Sequence, residues 1–383
     1  MGRITVGLLA GLAVAGMQTI ALAQVASPVK IAIVGPFSGP SAETAERVGS
    51  AVRIAVEEAN EAGGLFGKSI EIVIGDDEAQ PEKSTIVAQR LIDDSNIIGV
   101  IGPMTSASAL AAGSLYNRAR MPFLTPTATN PRITEQGWQS VFRIAGRDDA
   151  EGPAAASFIA SDLKPKKVVA ISNKTAFQAG IVQEVTRSLK ERGVETIIEE
   201  VSDQDRDLSP IVTRIKTAGA DIVYLGMAPG QSSLLLKQAA QAGVKFTPFS
   251  HGSNREKELF IKASTGNAEG AYITYNARDP RTVPEAKAFI EKFEKRVNKS
   301  VSAYEPQAYD ATKILIKAIQ KAGAKDGKVS RADVVAAIKA ERDYPAIMGI
   351  KITFNPKGDV AAVPINIFKV EKDDFVFVRS ISQ

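Results

Sequence analysis

From Pro28 onward, short apolar runs alternate with segments whose apolar positions recur every three or four residues. Residues 29–34 form a β-branched run bounded by Gly35-Pro36, which predicts a buried strand. Val48, Val52, Ala55 and Ala59 share one helical face. Gly63-Gly64 ends that helix, because glycine takes the left-handed cap without a Cβ penalty. A strand is predicted over 70–74, then a helix opened by Pro81 that carries Val87 and Leu91. A strand over 97–101, a helix over 106–116 and a short strand over 122–124 complete this block. The rhythm returns after residue 150. Helices over 152–162, 178–192, 208–218 and 231–242 alternate with strands over 167–171, 195–199, 221–225 and 246–249. Helices over 283–298, 305–322 and 330–340 follow, and the end turns to strands over 347–354, 364–370 and 375–380. Two such blocks imply an α/β protein with two parallel, doubly wound sheets. In open sheets of this kind, ligands bind beyond the carboxyl ends of the strands, and a site between two sheets can draw loops from both.

The first 23 residues follow a different pattern. Arg3 precedes an apolar run over 4–15, and Ala21-Leu-Ala23 gives a small-x-small site before Gln24. Gln18 and Thr19 keep the run short of the ~20 residues needed to span a bilayer. No cysteine stands at the cleavage point, so no lipid anchor is expected. The expectation is a signal peptide over 1–23 and an exported, soluble mature chain.

Composition narrows the function. A length of 383 residues suggests two or three domains, and 44% hydrophobic with 23% charged residues excludes wholesale disorder. A net charge of +4 is too thin an excess of base for nucleic-acid binding. There is no cysteine and a single histidine, His251. Thiol catalysis, disulfides, Cys/His zinc clusters and haem attachment are thereby removed, and no cofactor or metal is expected. An exported hydrolase would have to use His251 with a serine, and no G-x-S-x-G elbow occurs.

The loops carry the candidate chemistry. The third strand runs into Gly102-Pro-Met-Thr-Ser-Ala-Ser108, where a helix starts. Free N–H groups and the positive dipole end suit a carboxylate there, with Thr105 and Ser106 adding hydroxyls. On these residues alone, Ser106 or Ser108 could equally be a helix N-cap. The next loop, Thr125-Pro-Thr-Ala-Thr-Asn-Pro131, is stiffened by two prolines and lined by threonines, which suits either a ligand's polar head or a solvated turn. Asp76-Asp77 is too small a ligand set for a metal, residues 164–167 too short a basic patch for nucleic acid, and Trp138 reads as packing. Arg143 could bind a carboxylate or pair with Asp148.

Several stretches together resemble leucine-binding-type periplasmic proteins. They are Val29-Lys-Ile-Ala-Ile-Val-Gly-Pro-Phe-Ser-Gly-Pro40, Asn60-Glu-Ala-Gly-Gly-Leu-Phe-Gly-Lys68, Ile70-Glu-Ile-Val-Ile-Gly-Asp-Asp77 with Gln80-Pro81, and Val100 to Ser108. Thr125 to Pro131, Phe142-Arg143 before Asp148 and Gly152, Tyr309-Asp-Ala311 and Phe354-Asn-Pro-Lys-Gly-Asp359 extend the match over the mature chain. The family comprises type I periplasmic solute receptors of ABC importers. The resemblance implies two α/β lobes joined by three crossovers, with the first lobe over 24–148 plus 277–354 and the second over 149–276 plus 355–383. It implies a periplasmic, non-enzymatic monomer that closes over a small carboxylate ligand, a branched-chain amino acid or a relative, and delivers it to an inner-membrane ABC permease.

By the same resemblance, Ser106 takes the ligand carboxylate by its hydroxyl and backbone N–H, the Thr127 carbonyl takes an ammonium group, Thr129 offers its hydroxyl and N–H, and Met104 and Thr105 line that wall. Phe177, Met227 and His251 would close from the second lobe. Phe177 and Met227 stand where the family usually has tyrosine, and His251 stands at or beside its usual acid. Neutral histidine cannot offset an ammonium charge. An aromatic or other non-amino-acid carboxylate is therefore the alternative ligand, and a sensor the alternative role. His251 itself is read either as a cleft hydrogen-bond partner or as a cap for a helix over 254–262.

Overall fold

The computed structural model describes residues 28–323, 328–361 and 363–381. The predicted signal peptide lies outside these residues. The first sheet has strands β1 (Lys30–Gly35), β2 (Glu71–Asp76), β3 (Ile97–Ile101), β4 (Phe123–Thr125) and β5 (Val141–Arg143). Their order is β2-β1-β3-β4-β5, and every pairing is parallel. Helices α1 (Ala42–Glu61), α2 (Pro81–Asp93) and α3 (Ser106–Arg118) connect them. β1 and β3 are buried throughout their apolar runs, as strands covered on both faces must be.

The second sheet holds β6 (Lys167–Ser172), β7 (Glu195–Glu200), β8 (Ile222–Gly226), β9 (Thr247–Ser250), β10 (Tyr272–Tyr275), β13 (Ile365–Glu371) and β14 (Asp374–Ile381). Helices α4 (Asp148–Phe158), α5 (Ala176–Glu191), α6 (Ser209–Ala218) and α7 (Pro229–Gln241) alternate with its strands. The order is β14-β13-β10-β9-β8-β6-β7. The five strands from β7 to β10 are parallel, while β13 and β14 add antiparallel to that edge. The sheet is therefore mixed, because the late strands join by a long return and a hairpin rather than by helical crossovers.

Helices α8 (Lys287–Val297), α9 (Glu305–Ala322) and α10 (Arg331–Lys339) return to the first sheet, where α9 packs on α1 and β3. The run at 347–354 is not one strand. Two-residue strands, β11 (Tyr344–Pro345) and β12 (Lys351–Ile352), pair around a turn in which Gly349 has φ +75°. β5 and β10 are elements that the pattern missed, being three and four residues long.

The chain thus passes between the sheets after β5, after β10 and before β13. Arg143, fully buried, ties the first passage to the last. Its Nε and Nη2 donate to Asp359 Oδ1 at 2.8 and 2.6 Å, and its backbone N–H donates to the Gly358 carbonyl at 2.8 Å. Its ion-pair partner is Asp359 and not Asp148, because the passages run side by side there. Trp138 packs over α3, where a Cβ on Gly113 would lie 2.1 Å from its ring.

Candidate ligand-binding site

The first wall begins where β3 ends. Gly102 has φ +117°, and a Cβ there would stand 2.2 Å from the Val34 carbonyl oxygen. Only glycine lets the chain cross this close to β1. Met104 then lies against Gly35, leaving no room for a Cβ at that position. Thr105 is the N-cap of α3, its Oγ1 accepting from the Ser108 N–H at 3.2 Å. The capping role is thereby filled, so neither Ser106 nor Ser108 is the cap. Ser106 is the first residue of α3, where the backbone N–H groups have no partner within the helix. Its Oγ accepts from the Asn130 N–H at 3.4 Å, which ties the 125–131 loop to the helix start. Thr127 Oγ1 donates to the Met104 carbonyl. Thr129 is buried, and its hydroxyl lies beside the Asp148 carboxyl.

The second wall comes from the ends of β6, β8 and β9. Thr175 caps α5 and sets Phe177 in its first turn. The Phe177 ring meets the His251 ring edge-on, with centroids 4.7 Å apart and planes at 79°. Met227 follows β8, fully buried, and its carbonyl accepts from Asn254 Nδ2 at 2.9 Å. His251 follows β9 and is also fully buried, with Nδ1 2.8 Å from Ser253 Oγ and, among the described residues, no hydrogen-bond partner for Nε2. Burial pushes its pKa down to about 3, against a smaller pull from the Met227 carbonyl, so the ring is neutral. Residues 252–264 form short 3₁₀ and π turns, not the expected continuous helix over 254–262. His251 makes no side-chain cap and instead belongs to the aromatic group of Phe177 and Tyr224.

The two walls touch. Asn130 Nδ2 donates to the Ala176 carbonyl at 3.2 Å, and a Cβ on Gly180 would come 3.4 Å from Asn130 Nδ2. Behind them, Arg47 of α1 pairs at 3.2 Å with Glu256, which follows β9, and at 2.7 Å with Glu305 of α9. The buried Glu256 carboxyl is pushed up to about 7, first by burial and then by Glu305. Glu256 therefore serves a contact between the lobes.

Two buried acids at the start of α4, Asp148 and Glu151, were not among the predicted site residues. Asp148 is fully buried beside Thr129, and burial pushes its pKa up to about 8 against a smaller pull from the Thr129 hydroxyl. Glu151 is buried one turn later, and its Oε1 accepts from the Gly252 N–H at 3.0 Å and from Thr274 Oγ1. Tyr224 and Tyr304 sit close enough to feel both charges. A spacing of three on one helix face was the available signal, but only packing shows which way the face points. Among the described residues, no group of three or more acids or histidines could hold a metal ion.

A family model described as periplasmic binding protein matches residues 28–374. An amino acid binding protein of Pseudomonas aeruginosa is 32% identical over 351 residues, covering 91% of this chain and 90% of that protein. The leucine-, isoleucine-, valine-, threonine- and alanine-binding protein of the same organism is 30% identical over 369 residues, covering 96% and 95%. The crystal structure of a leucine-binding protein from Thermotoga maritima superposes with a TM-score of 0.83 at 25% identity, covering 92% and 98% of the two chains.

Proposed function

Because the chain belongs to the periplasmic binding protein family, we propose that it is a solute receptor that closes over a small carboxylate and hands it to an ABC permease. The observation that carries this reading is the start of α3. Thr105 caps the helix, Ser106 follows in its first turn, and the buried hydroxyl of Thr129 belongs to the loop tied to Ser106. A carboxylate there would meet helix N–H groups and a hydroxyl, the arrangement that binds anions without a fixed cation. Both Pseudomonas relatives are named for amino acids, which supports an amino acid or a close relative as the ligand. The family supports a periplasmic location, and we assign the protein as a monomer whose partner is the inner-membrane permease.

Phe177, Met227 and His251 make much of the opposite wall apolar or neutral, which favours an aromatic or other non-amino-acid carboxylate as the second reading. Catalysis is disfavoured. His251 and Ser253 are adjacent, but a ring held neutral down to about pH 3 is too weak a base for neutral conditions. The test is a thermal-shift screen of the mature chain against amino acids, aliphatic acids, aromatic acids and amides. A ligand that binds only the folded state raises the apparent melting temperature. Shifts confined to amides, which carry no charge, would refute the carboxylate reading. A sensor would show the same shifts but retain its cellular role when the permease is deleted.

A further inference from the structure

The loop after β9 offers a neutral histidine, yet a carboxylate does stand against it. Glu151 reaches that loop from α4, and its Oε1 is fixed by the Gly252 N–H at 3.0 Å and by Thr274 Oγ1 of β10. Gly252 is the residue immediately after His251. Among the described residues, neither a salt bridge nor a basic group offsets the Glu151 charge. The buried arginines are engaged elsewhere: Arg143 with Asp359, Arg47 with Glu256 and Glu305, and Arg255 with Asp279. The other groups facing it are Asp148 one turn earlier, the phenols of Tyr224 and Tyr304, and neutral His251 beyond Gly252. Glu151 is thus a buried carboxyl group held in place by two donors with no cation beside it among the described residues, and its charged form is costly unless a cationic ligand completes it.

We propose that Glu151 is the anionic group of the cleft, and that the ligand is an amino acid whose ammonium group faces Glu151 while its carboxylate sits at Ser106. This rests on the receptor reading above. The charge that the β9 loop lacks would come from another element, at the residue next to His251. Burial pushes the Glu151 carboxyl upward, so the ligand's ammonium takes the place of a proton there.

The test compares matched pairs that differ only in the ammonium group: alanine and propanoate, leucine and 4-methylpentanoate, phenylalanine and 3-phenylpropanoate. Calorimetry is run on the mature chain and on Glu151→Gln, which keeps the acceptor for Gly252 and removes the charge. The unaltered protein should favour the amino acid of at least one pair by about tenfold or more, the usual weight of a charge-assisted contact. Glu151→Gln should erase that preference and leave the deaminated acid as tightly bound as before. Runs in two buffers of different ionisation heat should show protons released with the amino acid, and fewer in the variant. A merely structural Glu151 would leave both the preference and the proton count unmoved, which would overturn the proposal. So would equal binding of both members of every pair by the unaltered protein. In that case Ser106→Ala separates the two readings. Weakened binding of the deaminated acids keeps the carboxylate receptor, and unchanged binding removes it as well.

Discussion

The two walls of the cleft differ in what fixes them. In the first, the groups proposed to meet the ligand rest on backbone geometry: Gly102 at φ +117°, Thr105 as cap, Ser106 in the first turn of α3. Thr105 and Ser106 are set by their immediate neighbours in sequence, and Gly102 by the close approach of β1. In the second, Phe177, Met227 and His251 come from the ends of three strands, and Glu151 comes from a helix that starts just after a passage between the lobes. Their relation is set by packing and burial across the fold. The first wall offers hydroxyls and helix N–H groups, and the second offers rings and a buried acid. Local geometry therefore fixes the cap and first turn of α3, while long-range packing brings Phe177, Met227, His251 and Glu151 together.

This contrast can be broken in order of expected effect. Gly102→Ala should cost about 3 kcal/mol or more, from left-handed strain together with overlap at the Val34 carbonyl. Urea unfolding would measure it, and a loss below 1 kcal/mol, about the size of a surface substitution, would show that the loop is not fixed by this approach. Ser106→Ala should weaken binding of a carboxylate by about 1–3 kcal/mol. Calorimetry that finds no change would remove the anion site from the first wall. Phe177→Leu should lose about 0.5–1.5 kcal/mol of stability through the edge contact with His251. If the double variant with His251→Ala is merely additive, the rings do not act together.

The last test is a slope with pH. Asp148 and Asp310 are pushed up to about 8 and Glu256 to about 7, each first by burial, from ordinary values of 3.8 and 4.5. Between those values and the raised ones, the folded chain holds protons that the unfolded chain has released. Stability from these groups is therefore full below about pH 4 and is lost as pH rises toward 8. Urea midpoints should fall from pH 5 to pH 8, and Asp148→Asn should flatten part of that fall. A midpoint that rises over the same range would show that these acids are charged in the folded protein.

Strand and helix periodicity was legible for most of the chain because each long element buries one face or both. It failed for β5 and β10, three and four residues long, where a period cannot be counted. It also failed at the edge of the second sheet, since alternation does not encode whether β13 lies parallel or antiparallel to β10. Met104, Thr105, Ser106, Thr127 and Thr129 were legible as a group because they lie on two loops at adjacent strand ends. Whether Ser106 or its neighbour capped α3 was not, because several hydroxyl residues in a row can each serve.

The sequence by itself determined an α/β chain built in two blocks, with its loops rich in hydroxyls and its single histidine after a strand of the second block. Those features follow from local steric preference and from hydrophobic period, which act over a few residues. Tertiary structure alone decided that Arg143 pairs with Asp359, that Glu256 turns to Arg47, and that Glu151 reaches the His251 loop. Their partners lie from about a hundred to more than two hundred residues away. A buried charge is stable only beside the group that completes it, and that group is known only once the chain has folded.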